Sequence, residues 1–198
     1  MGVVVVKKTD VTEEKRKERL LTILTYEVVD GKPIYYRGYK EVLEGKKTPE
    51  EVIGSSTLQA RLVFKLLVTL SPLEEMGYML TTNEHGLKID GGRRALDVGI
   101  FKADTLDIKD EYADVPPVVA IEVDTKAELE GGSFMEYMKR KIEDLLRFGV
   151  KRVIWILTKA NVIVIAEDPK NWKVLNWEDE FEVWEGVKVR LSDLLERP

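Results

Sequence analysis

Hydrophobic positions in the middle of the chain change from a helical spacing to a strand spacing. Over residues 58–70 apolar side chains recur every three or four positions, and Pro72 follows, so the pattern predicts a helix that ends there. Three β-rich runs come next, separated by Gly, Asp and Pro clusters, and predict strands over residues 78–82, 96–102 and 118–123. One helix therefore precedes a group of three strands.

A second helix has the clearest boundaries in the sequence. Ser133 and Glu136 form a capping box at its start, and Gly149 is placed to end it. Its buried stripe consists of five apolar residues at helical spacing: Phe134, Met138, Ile142, Leu145 and Leu146. The runs over residues 152–157 and 162–166 are nearly all apolar, which is typical of central strands covered on both faces.

The N-terminal part predicts a helix followed by a hairpin. Residues 12–20 are charged and helix-prone, and a β-like stretch over residues 21–29 follows them. The Asp30–Gly31 pair favours a tight turn, so residues 33–37 are expected to return as a second strand.

The whole chain is expected to form one α/β domain, because 198 residues suit a single core. We divide it into an N-terminal addition (1–54), a catalytic core (55–166) and C-terminal strands (167–198). The apolar segment 172–184 exceeds what one small core obviously needs, which predicts a symmetric homodimer.

The composition restricts the kind of metal site the chain can build. There is no cysteine and one histidine, which excludes thiolate sites and multi-histidine zinc sites. A catalytic metal must therefore be held by oxygen, which favours Mg²⁺, with Mn²⁺ as a substitute. No apolar stretch approaches the roughly 20 residues that span a bilayer, so we expect a soluble, cytoplasmic protein without a membrane partner.

The net charge of −5 and the pI near 5.2 argue against a protein that coats nucleic acid. A nucleic-acid substrate would be contacted locally, and the candidate basic patches lie at 93–94, 139–141 and 151–152. Solvated surface charge is the alternative interpretation of each patch.

Two acidic residues occupy strand positions where aliphatic side chains are expected. Glu122 lies inside VVAIEV, where burying a carboxylate costs several kcal/mol without compensation. Asp97 lies in the preceding strand, so the two carboxylates converge if the strands are neighbours, as a Mg²⁺ site requires. The alternatives are a turn cap for Asp97 and an ion pair for Glu122 with one of three arginines: Arg93, Arg94 or Arg152.

Lys141 is the third candidate. On the capped helix it shares a flank with Tyr137 and Asp144 at the border of the apolar stripe, so its long stem can run inward towards the strands. The alternative is a solvated lysine, which is the usual state of this residue type.

These residues give the sequence a resemblance to the PD-(D/E)xK, or restriction-endonuclease-like, superfamily, and more narrowly to its large bacterial family of restriction endonuclease homologues. The resemblance covers most of the chain and is carried by four segments: YEVVDGKPI, ALDVGIF, PPVVAIEVDT and KIEDLLRFGVKRVIWIL. The last is the most specific, because the family places a displaced catalytic lysine eight residues before a Gly-Val pair, where Lys141 stands.

The resemblance implies a mixed central sheet flanked by helices, and a Mg²⁺-dependent endonuclease that acts on nucleic acid, with DNA as the expected polymer. It implies a metal held by Asp97, Glu122 and the main-chain carbonyl of Val123, with Lys141 assisting the attacking water. Frequent dimerisation is also a property of the family.

Three positions depart from the family pattern: Leu96 replaces a proline, Asp124 stands where the motif lysine normally falls, and Leu58 replaces a histidine that many relatives carry. Because of Asp124, an active site depends on Lys141. Two other functions stay open: a catalytically degenerate binding or assembly module of the same fold, and a small-molecule phosphohydrolase that uses the same metal.

Overall fold

The structure is a computed structural model that describes residues 8–130 and 132–196. In chain order its elements are α1 (Lys8–Ile23), β1 (Thr25–Val29), β2 (Lys32–Tyr35), α2 (Tyr39–Leu43), α3 (Pro49–Ile53), α4 (Thr57–Leu70), α5 (Pro72–Glu75), β3 (Tyr78–Ile89), β4 (Gly92–Lys102), β5 (Val119–Val123), α6 (Phe134–Phe148), β6 (Arg152–Leu157), β7 (Val162–Ala166), β8 (Trp172–Asn176), β9 (Phe181–Trp184), β10 (Val187–Val189) and α7 (Leu191–Leu194).

A mixed eight-stranded sheet forms the centre of the fold. Its order is β2-β1-β4-β5-β6-β7-β8, with β3 on the other edge of β4. The β5–β6 pair is parallel and the other pairs are antiparallel. Leucines of α4 and α7 pack in the core on one face, and the apolar stripe of α6 packs in the core on the other. The predicted α/β class, a mixed sheet flanked by helices, is confirmed.

Strand β4 has a divided edge, and this division positions the candidate site. One edge pairs with β3 over nearly its whole length. The opposite edge pairs with β1 at Arg93 and with β5 only from Val98 to Ile100. Residues 94–97 therefore face a gap between β1 and β5, where backbone groups need other partners.

The N-terminal hairpin, which lies in the expected N-terminal addition (1–54), is part of this sheet. The predicted turn at Asp30 is present, and β1 pairs with both β2 and β4. The expected strand over 21–29 begins only at Thr25, because Leu20 and Leu21 belong to α1 and pack against a small cluster of Leu24, Tyr39 and Val42.

Strand β3 is longer than the expected 78–82. The polar run after Thr82 resembles a strand end in the sequence, but β3 resumes after a β-bulge at Asn83 and Glu84 and continues to Ile89. Both bulge residues have positive φ, 67° and 54°. The bulge lies opposite Asp97, and bulges often occur beside functional sites, where they redirect side chains.

The C-terminal apolar segment is used by the core of the chain itself. Trp177, Phe181 and Val183 are buried in the same cluster as α4. The surplus of apolar surface that suggested a dimer interface is therefore largely absent. Within residues 8–130 and 132–196, no helix combines the length and apolar character needed to cross a bilayer.

Candidate active site

Asp97 lies where β4 and β5 separate. The paired register of these antiparallel strands ends at Val98 and Ile121, and the next residues on each strand are Asp97 and Glu122. The Asp97 carboxylate fills the opening: Oδ2 accepts a hydrogen bond from the Val123 N–H at 2.7 Å, and Oδ1 accepts one from Gln59 Nε2 at 3.4 Å. Asp97 is thereby fixed against the end of β5.

Glu122 is almost completely buried at the end of β5. Its neighbours Ile121 and Val123 point into the core that contains α4, so alternation along the strand directs Glu122 towards α6. Oε2 lies 2.9 Å from Lys141 Nζ, whereas Oε1 is buried without a hydrogen-bond partner among the described residues. A buried orphan carboxylate oxygen is costly, which makes it a candidate ligand atom.

Lys141 is fully buried on α6, and the alternative of a solvated lysine is wrong. Nζ donates to the Ala95 carbonyl at 2.7 Å and lies 2.8 Å from Glu27 Oε1 and 2.9 Å from Glu122 Oε2. These three contacts use all three ammonium donors. The side chain has no free donor left for a water molecule.

Glu27 is the residue of this cluster that the sequence interpretation missed. Oε1 accepts from the Ala95 N–H at 3.1 Å, in addition to its contact with Lys141. Oε2 accepts from Arg94 and from the Tyr137 hydroxyl, each at 2.8 Å. Together, Glu27 and Lys141 satisfy both backbone groups of Ala95, which face the gap in β4. A glutamate inside the five-residue strand TYEVV was the available signal.

The charged cluster continues from Glu27 to the surface. Arg94 is buried and bridges Glu27 to Asp144. Asp144 is also contacted by Arg140 at 3.0 Å and by Arg147 at 3.3 Å, both partly exposed.

The ion pairs considered for Glu122 with an arginine are not formed. Arg94 pairs with Glu27 and Asp144, Arg152 contacts Glu167, and Arg93 lies over the Tyr112 ring.

One ammonium lies between two buried carboxylates whose pKa values are shifted in opposite directions. Burial disfavours ionisation of Glu27, but Lys141 and Arg94 outweigh it and lower its pKa. Burial raises the pKa of Glu122 well above its usual range, and Asp97 and Glu27 add to this effect although Lys141 opposes it. Burial also raises the pKa of Asp97. For Lys141, the two glutamates outweigh burial and raise its pKa, so it stays charged.

The donor set suits a hard divalent cation. Among the described residues, four buried carboxylates (Glu27, Asp97, Glu122 and Asp144) face two buried cations, Arg94 and Lys141, so the buried cluster carries a net charge of −2 when all six groups are ionised. Mg²⁺ binds oxygen ligands of three kinds that are present here: the unpartnered Glu122 oxygen, the Asp97 carboxylate and the Val123 carbonyl. No group of three or more His, Cys, Asp or Glu side chains in the described segments fits a metal, so a main-chain oxygen and water would complete the set.

Asp124, at the position where the sequence resemblance would place a lysine, takes no part in this cluster. Its backbone has a positive φ of 55°, and its carboxylate accepts from the Thr158 N–H at 2.9 Å and the Thr158 hydroxyl at 2.6 Å. It therefore fastens the end of β5 to the end of β6.

A cleft of about 410 Å³ opens beside Asp97. Its walls come from the end of α3, the start of α4 and the β3 bulge, and they include Gln59, Glu84 and Lys126. Lys126 pairs with Glu84 and donates to the Ile53 carbonyl at 3.0 Å. On α4, Leu58 is exposed, and the next residue, Gln59, reaches the site instead.

Comparison with known proteins gives a likeness of fold. No family model matches the sequence, and no curated protein matches it. Among solved structures, the chain is similar to one from Anabaena variabilis ATCC 29413 described as "a putative nuclease belonging to DUF820". The two share 14% identity and a TM-score of 0.59 over 85% of this chain and 88% of the other. At this identity the likeness shows a common fold.

Replacing Glu27 tests whether the fold depends on the charge balance of the buried cluster. Glu27→Ala should lower the free energy of unfolding by roughly 3–5 kcal/mol, because it leaves Lys141 and Arg94 buried with one partner fewer. Urea denaturation measures the loss. The matched control Glu143→Ala, which removes a partly exposed i,i+4 pair with Lys139, should stay within about 0.5 kcal/mol. A loss below 1 kcal/mol for Glu27→Ala would show that the buried cations Lys141 and Arg94 do not depend on Glu27.

Replacing Glu122 tests the electrostatic cost of the site. Folding raises the pKa of Glu122 by burying it beside Asp97 and Glu27, so the native state binds more protons than the unfolded state. Its contribution to stability is therefore complete below the unfolded pKa of about 4.3 and is lost as pH rises towards the folded pKa. With chelator present, Glu122→Gln should match wild type near pH 4 and melt at a higher temperature at pH 7–8.

The same variant should bind Mn²⁺ more weakly than wild type by calorimetry, because an anionic ligand is lost. Equal metal affinity in the two proteins would remove Glu122 from the site. A lower melting temperature than wild type at every pH would show that the Glu122–Lys141 ion pair is structural.

Proposed function

We propose that this chain is a divalent-metal-dependent nuclease of the PD-(D/E)xK type, which hydrolyses phosphodiester bonds in nucleic acid, with DNA as the expected polymer. One observation carries the proposal: a lysine from α6 is buried against a strand-end glutamate with an orphan oxygen, next to a second carboxylate. The fold shared with a structure described as "a putative nuclease" supports it. Asp97, Glu122 and the Val123 carbonyl would hold the ion.

In the proposed reaction, the bound metal ion and Lys141 have different roles. Bound Mg²⁺ would polarise a phosphoryl oxygen and lower the pKa of the attacking water. Lys141 remains an ammonium, because the two glutamates raise its pKa, and it is therefore unsuited to act as a general base. With all its donors engaged, it acts through its charge, which favours hydroxide and the negative charge that develops at phosphorus, and by orienting Glu122.

The surface limits how nucleic acid can approach. The chain is acidic overall, and the basic patches expected from the sequence are partly engaged: Arg94 and Lys141 are buried, Lys139 pairs with Glu143, and Arg152 pairs with Glu167. The cleft that is lined by Asp97 would give the polymer access to the site. Contact with the polymer would therefore be local, through the metal and the cleft.

Replacing Lys141 distinguishes an active nuclease from a catalytically degenerate scaffold. Lys141→Ala should lower the rate of Mn²⁺-dependent plasmid nicking and single-strand cleavage by about 10²-fold or more, because it removes the charge beside the attacking water. Lys139→Ala, on the exposed side of the same helix, is the matched control and should cut at the wild-type rate. Metal binding should survive in both variants, because lysine is not a ligand.

Removing a buried cation can also destabilise the fold, so thermal unfolding is measured in parallel, and Lys141→Met provides a variant of similar volume. A folded Lys141 variant that cuts as fast as wild type would contradict the role of this residue. Failure of every protein, wild type included, to cut any nucleic acid would favour the binding module, and hydrolysis of nucleotides alone would favour the phosphohydrolase.

A symmetric dimer remains a proposal that rests on the family resemblance alone. Sedimentation at micromolar concentration tests it. A species of about twice the 22.7 kDa chain mass is expected, and a strict monomer would contradict it.

A further inference from the structure

Gln59 occupies the position between two of the proposed ligands. It is the only glutamine among the 198 residues, and it is buried at the start of α4. Its Nε2 lies 3.4 Å from Asp97 Oδ1 and 3.2 Å from the Val123 carbonyl oxygen. One amide nitrogen thus bridges a carboxylate and a main-chain oxygen that would otherwise face the same cation.

An amide group can serve this position in two ways. Its NH₂ end carries partial positive charge and donates to both oxygens, whereas its other end is an oxygen acceptor of the kind that Mg²⁺ accepts. Rotation about the last side-chain torsion exchanges the two ends, and this torsion has a broad, roughly two-fold profile. This rotation leaves the backbone in place, and the Gln59 N–H can keep its hydrogen bond to the Ser56 hydroxyl at 3.2 Å.

Both contacts of the NH₂ end are at the long limit for hydrogen bonds, so their loss costs little. An apolar side chain of similar length would fill the space between α4 and the sheet but would leave Asp97 Oδ1 without a hydrogen bond from this helix. The NH₂ group therefore gives each of the two oxygens a weak hydrogen bond, and the amide oxygen, which can act as a metal ligand, lies beside them.

We propose that Gln59 is a reversible occupant of the metal position: its NH₂ group bridges Asp97 and Val123, and when a divalent cation binds, the amide turns and presents Oε1 to the ion. The inference depends on the metal site of the proposed function. It adds a neutral ligand from α4 to the two carboxylates and links α4, which forms one wall of the cleft, to metal binding.

A single glutamine makes the proposal directly observable. Protein labelled with ¹⁵N only on the glutamine side chain gives one pair of NH₂ signals, which come from Gln59. Titration with Mg²⁺ should shift this pair saturably, with the same dissociation constant that calorimetry gives for the ion. An NH₂ pair that stays in place while calorimetry shows saturation would overturn the role of Gln59 and leave the metal site intact.

Variants provide the second measurement. Gln59→Ala should bind Mn²⁺ about 10-fold more weakly, a loss of the size seen for residues that support metal ligands, and Gln59→Glu should bind it more tightly because a charged ligand replaces a neutral one. Ser55→Ala, at an exposed position on the same cleft, should bind as wild type. Unchanged or tighter binding by Gln59→Ala would show that the amide only competes with the ion. Absence of Mn²⁺ binding in wild type would overturn both this inference and the metal site.

Discussion

The buried ammonium of Lys141 is the interaction on which the candidate site depends. It is held by one backbone carbonyl and two glutamates, and it lies about 5.6 Å from the centres of the Tyr26 and Trp155 rings. Burying an ion pair gives little net stability, so such a cluster needs excellent geometry and complete hydrogen bonding to persist. Every donor of Lys141 and both oxygens of Glu27 meet this requirement, whereas Arg94 Nε and one oxygen of Glu122 have no hydrogen-bond partner among the described residues. Of these two atoms, the Glu122 oxygen lies at the position where chemistry is proposed.

The topology of the sheet explains why charged groups can be buried here. Because β1 and β5 share one edge of β4 and leave residues 94–97 between them, the Ala95 backbone lacks strand partners on that side. Glu27 and Lys141 supply those partners, and Asp97 does the same for the Val123 N–H. Lys141 and Asp97, two of the side chains proposed for catalysis, thus also complete the hydrogen bonding of the divided sheet. This dual role ties the fold and the site together.

Most of the architecture could be predicted from the sequence, because strong periodicity and capping motifs define α4, α6 and the central strands. Asp97 and Glu122 were recognisable as carboxylates in aliphatic strands, and Lys141 by its place beside an apolar stripe. Glu27 was missed because its partners Arg94 and Lys141 are distant in sequence: pairing of β1 with β4 brings Arg94 close to it, and packing of α6 on the sheet brings Lys141. Gln59 was missed because the apolar pattern of α4 starts at Leu58, whereas the buried face of the helix includes Gln59 and leaves Leu58 exposed. The β3 bulge was also invisible, because its polar residues resemble a turn.

The central claim is that the ends of β4 and β5 form a metal centre around the Lys141 ion pair. Anomalous X-ray scattering from a crystal soaked in Mn²⁺ tests it most directly, because manganese is located independently of any assumed ligand. The account predicts one Mn²⁺ bonded to Asp97, to the free oxygen of Glu122 and to the Val123 carbonyl, with Lys141 still paired to Glu27. Manganese bound only elsewhere, or its absence from this position at saturating concentration, would contradict the account.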